Sequence, residues 1–233
     1  MSALSFWQRQ TRVERCVLCH DSVQGSSLCA GCRADMQQVF TDVGVLCPRC
    51  VKPSAGGTLC GRCQQKPPPF EAVWASAYYE APLNSMLHAL KYRADLSLLD
   101  AMMEIMYAQP PHWLAHTPMD AVLAVPMSGR RRLERGFNQS DEMAMALAKH
   151  YGLPLFGRHT VYRHFTPPQS TLKQAERMKN LRNAFRIDAD VKNCKLLLID
   201  DVCTTGATFY ALARMLKRAG ADAIYCWSLA LTK

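Results

Sequence analysis

Residues 196–208 read Leu196-Leu197-Leu198-Ile199-Asp200-Asp201-Val202-Cys203-Thr204-Thr205-Gly206-Ala207-Thr208. Four successive apolar residues bury on both faces, as a central strand of a parallel sheet does. Two acids stand at the carboxyl end of that strand. The turn from Cys203 to Thr208 then opens a helix that carries Leu212, Met215, Leu216 and Ala219 on one face and stops at Gly220. The first amides of a helix point outward without partners, and the helix dipole favours an anion there. Gly206 lets the backbone wrap closely, and the hydroxyls of Thr204, Thr205 and Thr208 add donors. The expected product is a cradle for one phosphate, with Asp200 and Asp201 placed to accept hydrogen bonds from sugar hydroxyls. Paired acids after a strand also hold magnesium in nucleotide hydrolases, but the chain has no GxxxxGK[ST] loop.

Working outward, strand and helix signals alternate from Phe70 onward. Strands are expected at Ala72–Tyr79, Ala121–Pro126, more weakly Leu155–Tyr162, Lys195–Ile199 and Ala223–Leu231. Helical spacing marks Leu83, Leu87 and Leu90, then Leu99, Met102, Met103 and Met106, then Met143, Leu147 and Tyr151. The fold class is therefore α/β with a mainly parallel sheet, whose ligands sit beyond the carboxyl ends of strands. One such end is the Ile199 turn. The other is the polar stretch Met127–Gln139, MSGRRRLERGFNQ. Its Arg130, Arg131, Arg132 and Arg135 read as an anion-binding loop suited to pyrophosphate, with Asn138 or Ser140 as cap of the helix that follows. A further basic stretch within Thr166–Phe185, with Lys173, Arg177, Lys179 and Arg182, reads as a flap over a ligand.

The front of the chain differs in texture. Eight of the eleven cysteines form four CxxC pairs, Cys16/Cys19, Cys29/Cys32, Cys47/Cys50 and Cys60/Cys63. A shift of 31 residues superposes the first two pairs on the second two, an internal duplication. Two CxxC turns complete a tetrahedral four-thiolate site, so two zinc ions are expected, with adjacent or crossed pairing both open. The segment holds too few apolar residues for a core of its own, so metal binding should drive its folding. Gln64–Pro69, QQKPPP, is a stiff connector between a small irregular zinc-ribbon domain at residues 1–66 and the α/β domain at 70–233.

A net charge of +9 favours anionic partners, phosphates or nucleic acid, without choosing between them. No apolar run is long enough to span a bilayer. Leu4, Phe6 and Trp7 precede Arg9, Arg12 and Arg15, the reverse of a secretory signal, so the expected compartment is the cytoplasm and a disulfide framework is disfavoured.

LLLIDDVCTTGAT resembles the ribose-phosphate motif of type I phosphoribosyltransferases, enzymes that use phosphoribosyl pyrophosphate (PRPP). That resemblance implies that Asp200 and Asp201 bind the ribose 2′- and 3′-hydroxyls, that the backbone and side chains of Cys203, Thr204, Thr205, Gly206, Ala207 and Thr208 form the 5′-phosphate site, and that magnesium arrives on the diphosphate. Together with the CxxC repeats, VPMSGRRRLERGFNQS and NLRNAF, the chain resembles the ComF family, in which a zinc-ribbon front joins a phosphoribosyltransferase-like domain and which is associated with natural competence. Three functions follow from these readings. The first is a PRPP-binding transferase with an acceptor still to be named; no C-terminal hood follows the last strand, so a base-reading wall would come from Phe70–Pro111 or the zinc domain. The second is a competence factor binding single-stranded DNA through basic loops and aromatics such as Trp74, Tyr92 and Phe137, acting with other DNA-uptake proteins. The third, a plain salvage enzyme, fits the zinc repeats poorly.

Overall fold

The computed structural model describes residues 14–157, 160–163 and 185–233. Four strands form the central sheet: β3 (Ala72–Tyr78), β4 (Ala121–Ala124), β7 (Lys195–Cys203) and β8 (Ala223–Leu231). Their order is β3-β8-β7-β4 and every pairing is parallel, as the alternating signals require. The buried central strands β7 and β8 are each nine residues long. β7 runs on through both acids to Cys203, so Asp200 and Asp201 end the strand itself rather than follow it.

Helices cover both faces. On one, α3 (Leu83–Arg93), α4 (Leu98–Ala108) and α6 (Gln139–Tyr151) pack on Leu197, Ile199 and Trp227. On the other, α7 (Ala207–Arg218) brings Phe209, Leu212 and Leu216 onto Leu196, Leu198 and Ile224. From Leu196 to Ile199 the period-2 alternation of β7 feeds one core with odd and the other with even residues, and beyond the acids Cys203 turns to the α7 side.

Two sequence expectations need correction. The arginine stretch is a short helix, α5 (Gly129–Arg135), tied by an Arg130–Glu134 pair one turn apart and closed by Gly136 at φ 82°. The expected strand Leu155–Tyr162 is broken. Leu155 makes an isolated bridge to Val122, and only β5 (Val161–Arg163) is regular, paired antiparallel with β6 (Phe185–Ile187). Leu155 is 43% exposed, so little burial holds a longer strand there. The stretch expected to form a flap, with Lys173 and Arg177, lies outside the described residues.

The front of the chain straddles the outer edge of β3. It contains the two-residue strands β1 (Glu14–Arg15) and β2 (Ser22–Val23) and the helices α1 (Ala30–Gln37) and α2 (Gly61–Gln65). Val23, Leu28, Met36 and Val39 join the core beneath α3 and α4, whereas Leu46 and Val51 join the α7 side. Between them the chain hydrogen-bonds along β3: the Tyr78 amide donates to the Val39 carbonyl, the Thr41 amide to Ser76 and the Val73 amide to Arg49. A segment too poor in apolar residues for its own core thus borrows two, and hides an edge that would otherwise offer unpaired backbone groups. Glu104 on α4 anchors the first half, accepting from the Ser27 amide at 2.6 Å and the Ser26 hydroxyl at 2.9 Å.

Candidate functional site

The eight cysteines gather as two quartets, Cys16, Cys19, Cys29, Cys32 and Cys47, Cys50, Cys60, Cys63, with sulfurs in each within 4.8 Å of one another. This resolves the pairing as adjacent. A tetrahedral zinc–thiolate site with bonds of about 2.3 Å has sulfur–sulfur edges of about 3.8 Å, and the Cys19–Cys29 and Cys50–Cys60 sulfurs lie 3.5 and 3.7 Å apart. The donor set fits zinc. The duplication is visible in backbone detail: His20 and Val51, 31 residues apart, both take positive φ, at 64° and 51°. Each donates its amide to the first cysteine carbonyl of its own CxxC turn. A β-branched residue such as Val51 is strained there, and the turn is held by what it binds. Burial opposes ionisation of Cys16 and Cys47, but backbone amides aimed at their sulfurs prevail and pull these thiols down to about 6 and about 7. Burial pushes Cys32 and Cys63 up. In each quartet a ready thiolate therefore sits beside thiols whose protons a metal must displace.

The second centre is at the carboxyl end of β7. One Asp200 carboxylate oxygen accepts from the Ser140 hydroxyl at 3.0 Å and from the Asp201 amide at 3.0 Å. Asp201 pairs with the Lys91 ammonium of α3 at 2.7 Å. Burial first, and the neighbouring Asp201 charge second, push the Asp200 carboxyl up to about 7 against the pull of Ser140, the Asp201 amide and Lys91. Next in the chain, Thr204 and Thr205 are exposed, and Gly206 takes φ 71° as the residue preceding α7. Only glycine holds that conformation cheaply. The Thr205 hydroxyl accepts from the Ala207 amide at 3.3 Å, shaping the turn. Cys203 offers backbone only: its thiol is buried in the α7-side core, where burial pushes it up to about 12.

The arginines diverge. Arg132 pairs with Asp141 at 2.5 Å, and Arg130 with Glu134 on the outer surface. Arg135 donates to Gln139 at 3.3 Å and lies over the Tyr92 ring, 5.5 Å from its centroid. Arg163 of β5 feels both Arg131 and Asp200. Burial first and the Arg131 charge second hold the Arg163 guanidinium below its ordinary value, while Asp200 draws it up. Asn138 stands at the N-cap of α6 but its side chain makes no capping hydrogen bond; its amide donates to the Val125 carbonyl at 3.1 Å and to Asp141 at 2.9 Å. Ser140 is no cap, since it serves Asp200. RGFNQS therefore staples the end of β4 to the end of β7. Sequence reasoning missed Ser140 in that role, and missed Lys91 and Arg163 altogether. Of the expected aromatics, Trp74 is buried and Phe137 packs on the core, whereas Tyr92 is 68% exposed.

A small cavity of about 110 Å³ lies behind β4, lined by Leu123, Pro126, Arg132, Asp141 and Phe156 among others. No helix among the described residues is long and apolar enough to cross a membrane.

A parallel sheet with this acid pair and glycine-led turn, clamped by two four-cysteine ribbons, defines an α/β protein with a double zinc ribbon. Residues 13–64 match the double zinc ribbon domain family. The chain is 34% identical over 191 residues to the DNA utilization protein YhgH of Escherichia coli, covering 80% of this chain and 84% of that protein. It is 25% identical to competence protein F of Haemophilus influenzae, over 93% of this chain and 96% of the relative. Among solved structures, a purine phosphoribosyltransferase from Pyrococcus horikoshii aligns at 16% identity over 58% of this chain and 82% of its own, with a TM-score of 0.36. The chain belongs to the ComF family of competence and DNA utilization proteins.

Proposed function

We propose that the α/β domain, residues 70–233, binds a 5-phosphorylated ribose, PRPP with magnesium, in a cytoplasmic protein that serves competence or DNA use. Asp200 and Asp201 accept from the sugar diol. The turn Thr204–Thr208 takes the 5′-phosphate through amides and hydroxyls. Arg131 and Arg163 supply positive charge for the diphosphate. The residues 1–66 hold two zinc ions and brace the edge of the sheet. The observation that carries this reading is the acid pair, gripped by Ser140 and Lys91, running directly into the left-handed Gly206 at the start of α7.

The test is calorimetric titration of the zinc-loaded protein with PRPP and magnesium. One-to-one binding, weakened at least about 100-fold by the double substitution Asp200→Ala and Asp201→Ala, is expected from two charge-assisted contacts. No binding, or binding indifferent to that change, refutes the reading. One observation favours a second activity. Tyr92 is exposed with Arg135 over its ring, a stacking platform beside the site and suited to single-stranded DNA. Oligonucleotide affinity that falls steeply with salt and drops in Tyr92→Ala supports it.

A further inference from the structure

The sequence carries no signal on Lys91, and the ion pair it makes is the least expected feature of the site. α3 packs on the sheet face reached by Leu197 and Ile199. Its last turn carries Lys91, whose ammonium meets the Asp201 carboxylate at 2.7 Å with both side chains largely shielded, 18% and 13% exposed. Holding a lysine in one rotamer costs side-chain entropy, which a shielded pair of this kind must offset by its local interactions. Those interactions are visible in the surroundings. Asp200 and Asp201 are adjacent acids at one strand end. The charged or titratable groups near them are Lys91 from α3, Arg163 from β5 with Arg131 of α5 behind it, and the buried thiols of Cys203 on β7 and Cys226 on β8. Among the described residues, only Lys91 brings a cation into hydrogen-bond contact with the pair.

We propose that Lys91 is a positioning residue of the sugar site: its ammonium fixes Asp201 and offsets the charge of the pair, so that both carboxylates meet a sugar diol as acceptors. This rests on the ribose-phosphate reading above. The region Phe70–Pro111 thus supplies a wall of the site through the end of α3. Without Lys91, one of the influences holding Asp200 down is lost and its carboxyl moves further up. Near neutrality Asp200 then keeps a proton and presents a donor where an acceptor is needed. Diol binding is therefore lost around pH 7 in Lys91→Met and returns as pH rises, because deprotonation restores the acceptor.

The experiment compares wild type, Lys91→Met and Lys91→Arg, each checked for zinc content and helical circular dichroism. Carboxyl carbon NMR follows the Asp200 titration, and calorimetry follows ribose 5-phosphate and PRPP–magnesium affinity from pH 6 to 9. In Lys91→Met the Asp200 titration and the midpoint of the binding profile both move up by about one pH unit, with affinity at pH 7 down about fivefold; Lys91→Arg restores both. An unmoved Asp200 titration, or affinity lowered equally at every pH, overturns the role of Lys91 while leaving the ribose-phosphate reading intact. A wild type that binds neither ligand at any pH overturns that reading, and the diol role of Lys91 with it.

Discussion

Replacing Asp200 with Asn should stabilise the ligand-free protein, and by more at pH 7.5 than at pH 5.5. Asn keeps an oxygen where the Ser140 hydroxyl and the Asp201 amide donate, each at 3.0 Å, and removes the charge. The Asp200 carboxyl is raised from its ordinary 3.8 to about 7, first by burial and then by Asp201. Each pH unit of such displacement is about 1.4 kcal/mol, giving a ceiling of ~4 kcal/mol. Because Asp200 is partly open to water, about half of that, ~2 kcal/mol, is a realistic gain. The sign follows from proton counting. Between about pH 4 and pH 7 the folded chain holds a proton that the unfolded chain has released, so stability falls as pH rises through that window. Asn escapes the loss, and its advantage should grow by ~1 kcal/mol from pH 5.5 to 7.5 and then level off. Urea unfolding of zinc-loaded wild type and variant at several pH values measures it. An advantage independent of pH, or a less stable variant at pH 7.5, would refute the reasoning. The same variant should bind ribose phosphates more weakly, the usual opposition between stability and a poised site.

Adjacent pairing of the CxxC turns makes a stoichiometric prediction: Cys16→Ser with Cys29→Ser should leave one zinc per chain by mass spectrometry, whereas Cys16→Ser with Cys47→Ser should leave none, and the opposite pattern would mean crossed sites. Glu104→Ala removes the acceptor for the Ser26 hydroxyl and Ser27 amide and the partner of Arg33 at 3.7 Å. It should cost ~2 kcal/mol and open the first ribbon half to limited proteolysis while both zinc ions stay bound.

Much of this architecture could be read in the chain because its signals are local. The apolar run before Asp200 and the 31-residue cysteine repeat each depend on neighbours in sequence. Adjacent versus crossed pairing depends on how the halves fold in space, and spacing alone left it open. The helix at Gly129–Arg135 was masked by its four arginines, although Gly136 marks its end by a familiar rule. Asn138 does take the N-cap position of α6, but nothing in the sequence shows that β4 and β7 lie side by side to claim the side chains of Asn138 and Ser140. Lys91 was beyond reach for the same reason. Its partner is 110 positions away, and only the packing of α3 on the sheet face of Leu197 and Ile199 brings them together.

The clasp of the front segment around β3 has a consequence for biogenesis. Among the described residues β3 joins the sheet only through β8, which is synthesised long after it. The cysteine turns are therefore synthesised, and able to load metal, well before the surface they dock on exists. Such sequence-distant pairing makes assembly slow. A metal-loaded front end would then wait, preformed, for β8 to complete its seat, and zinc starvation during synthesis would leave a newly made sheet with a bare flank.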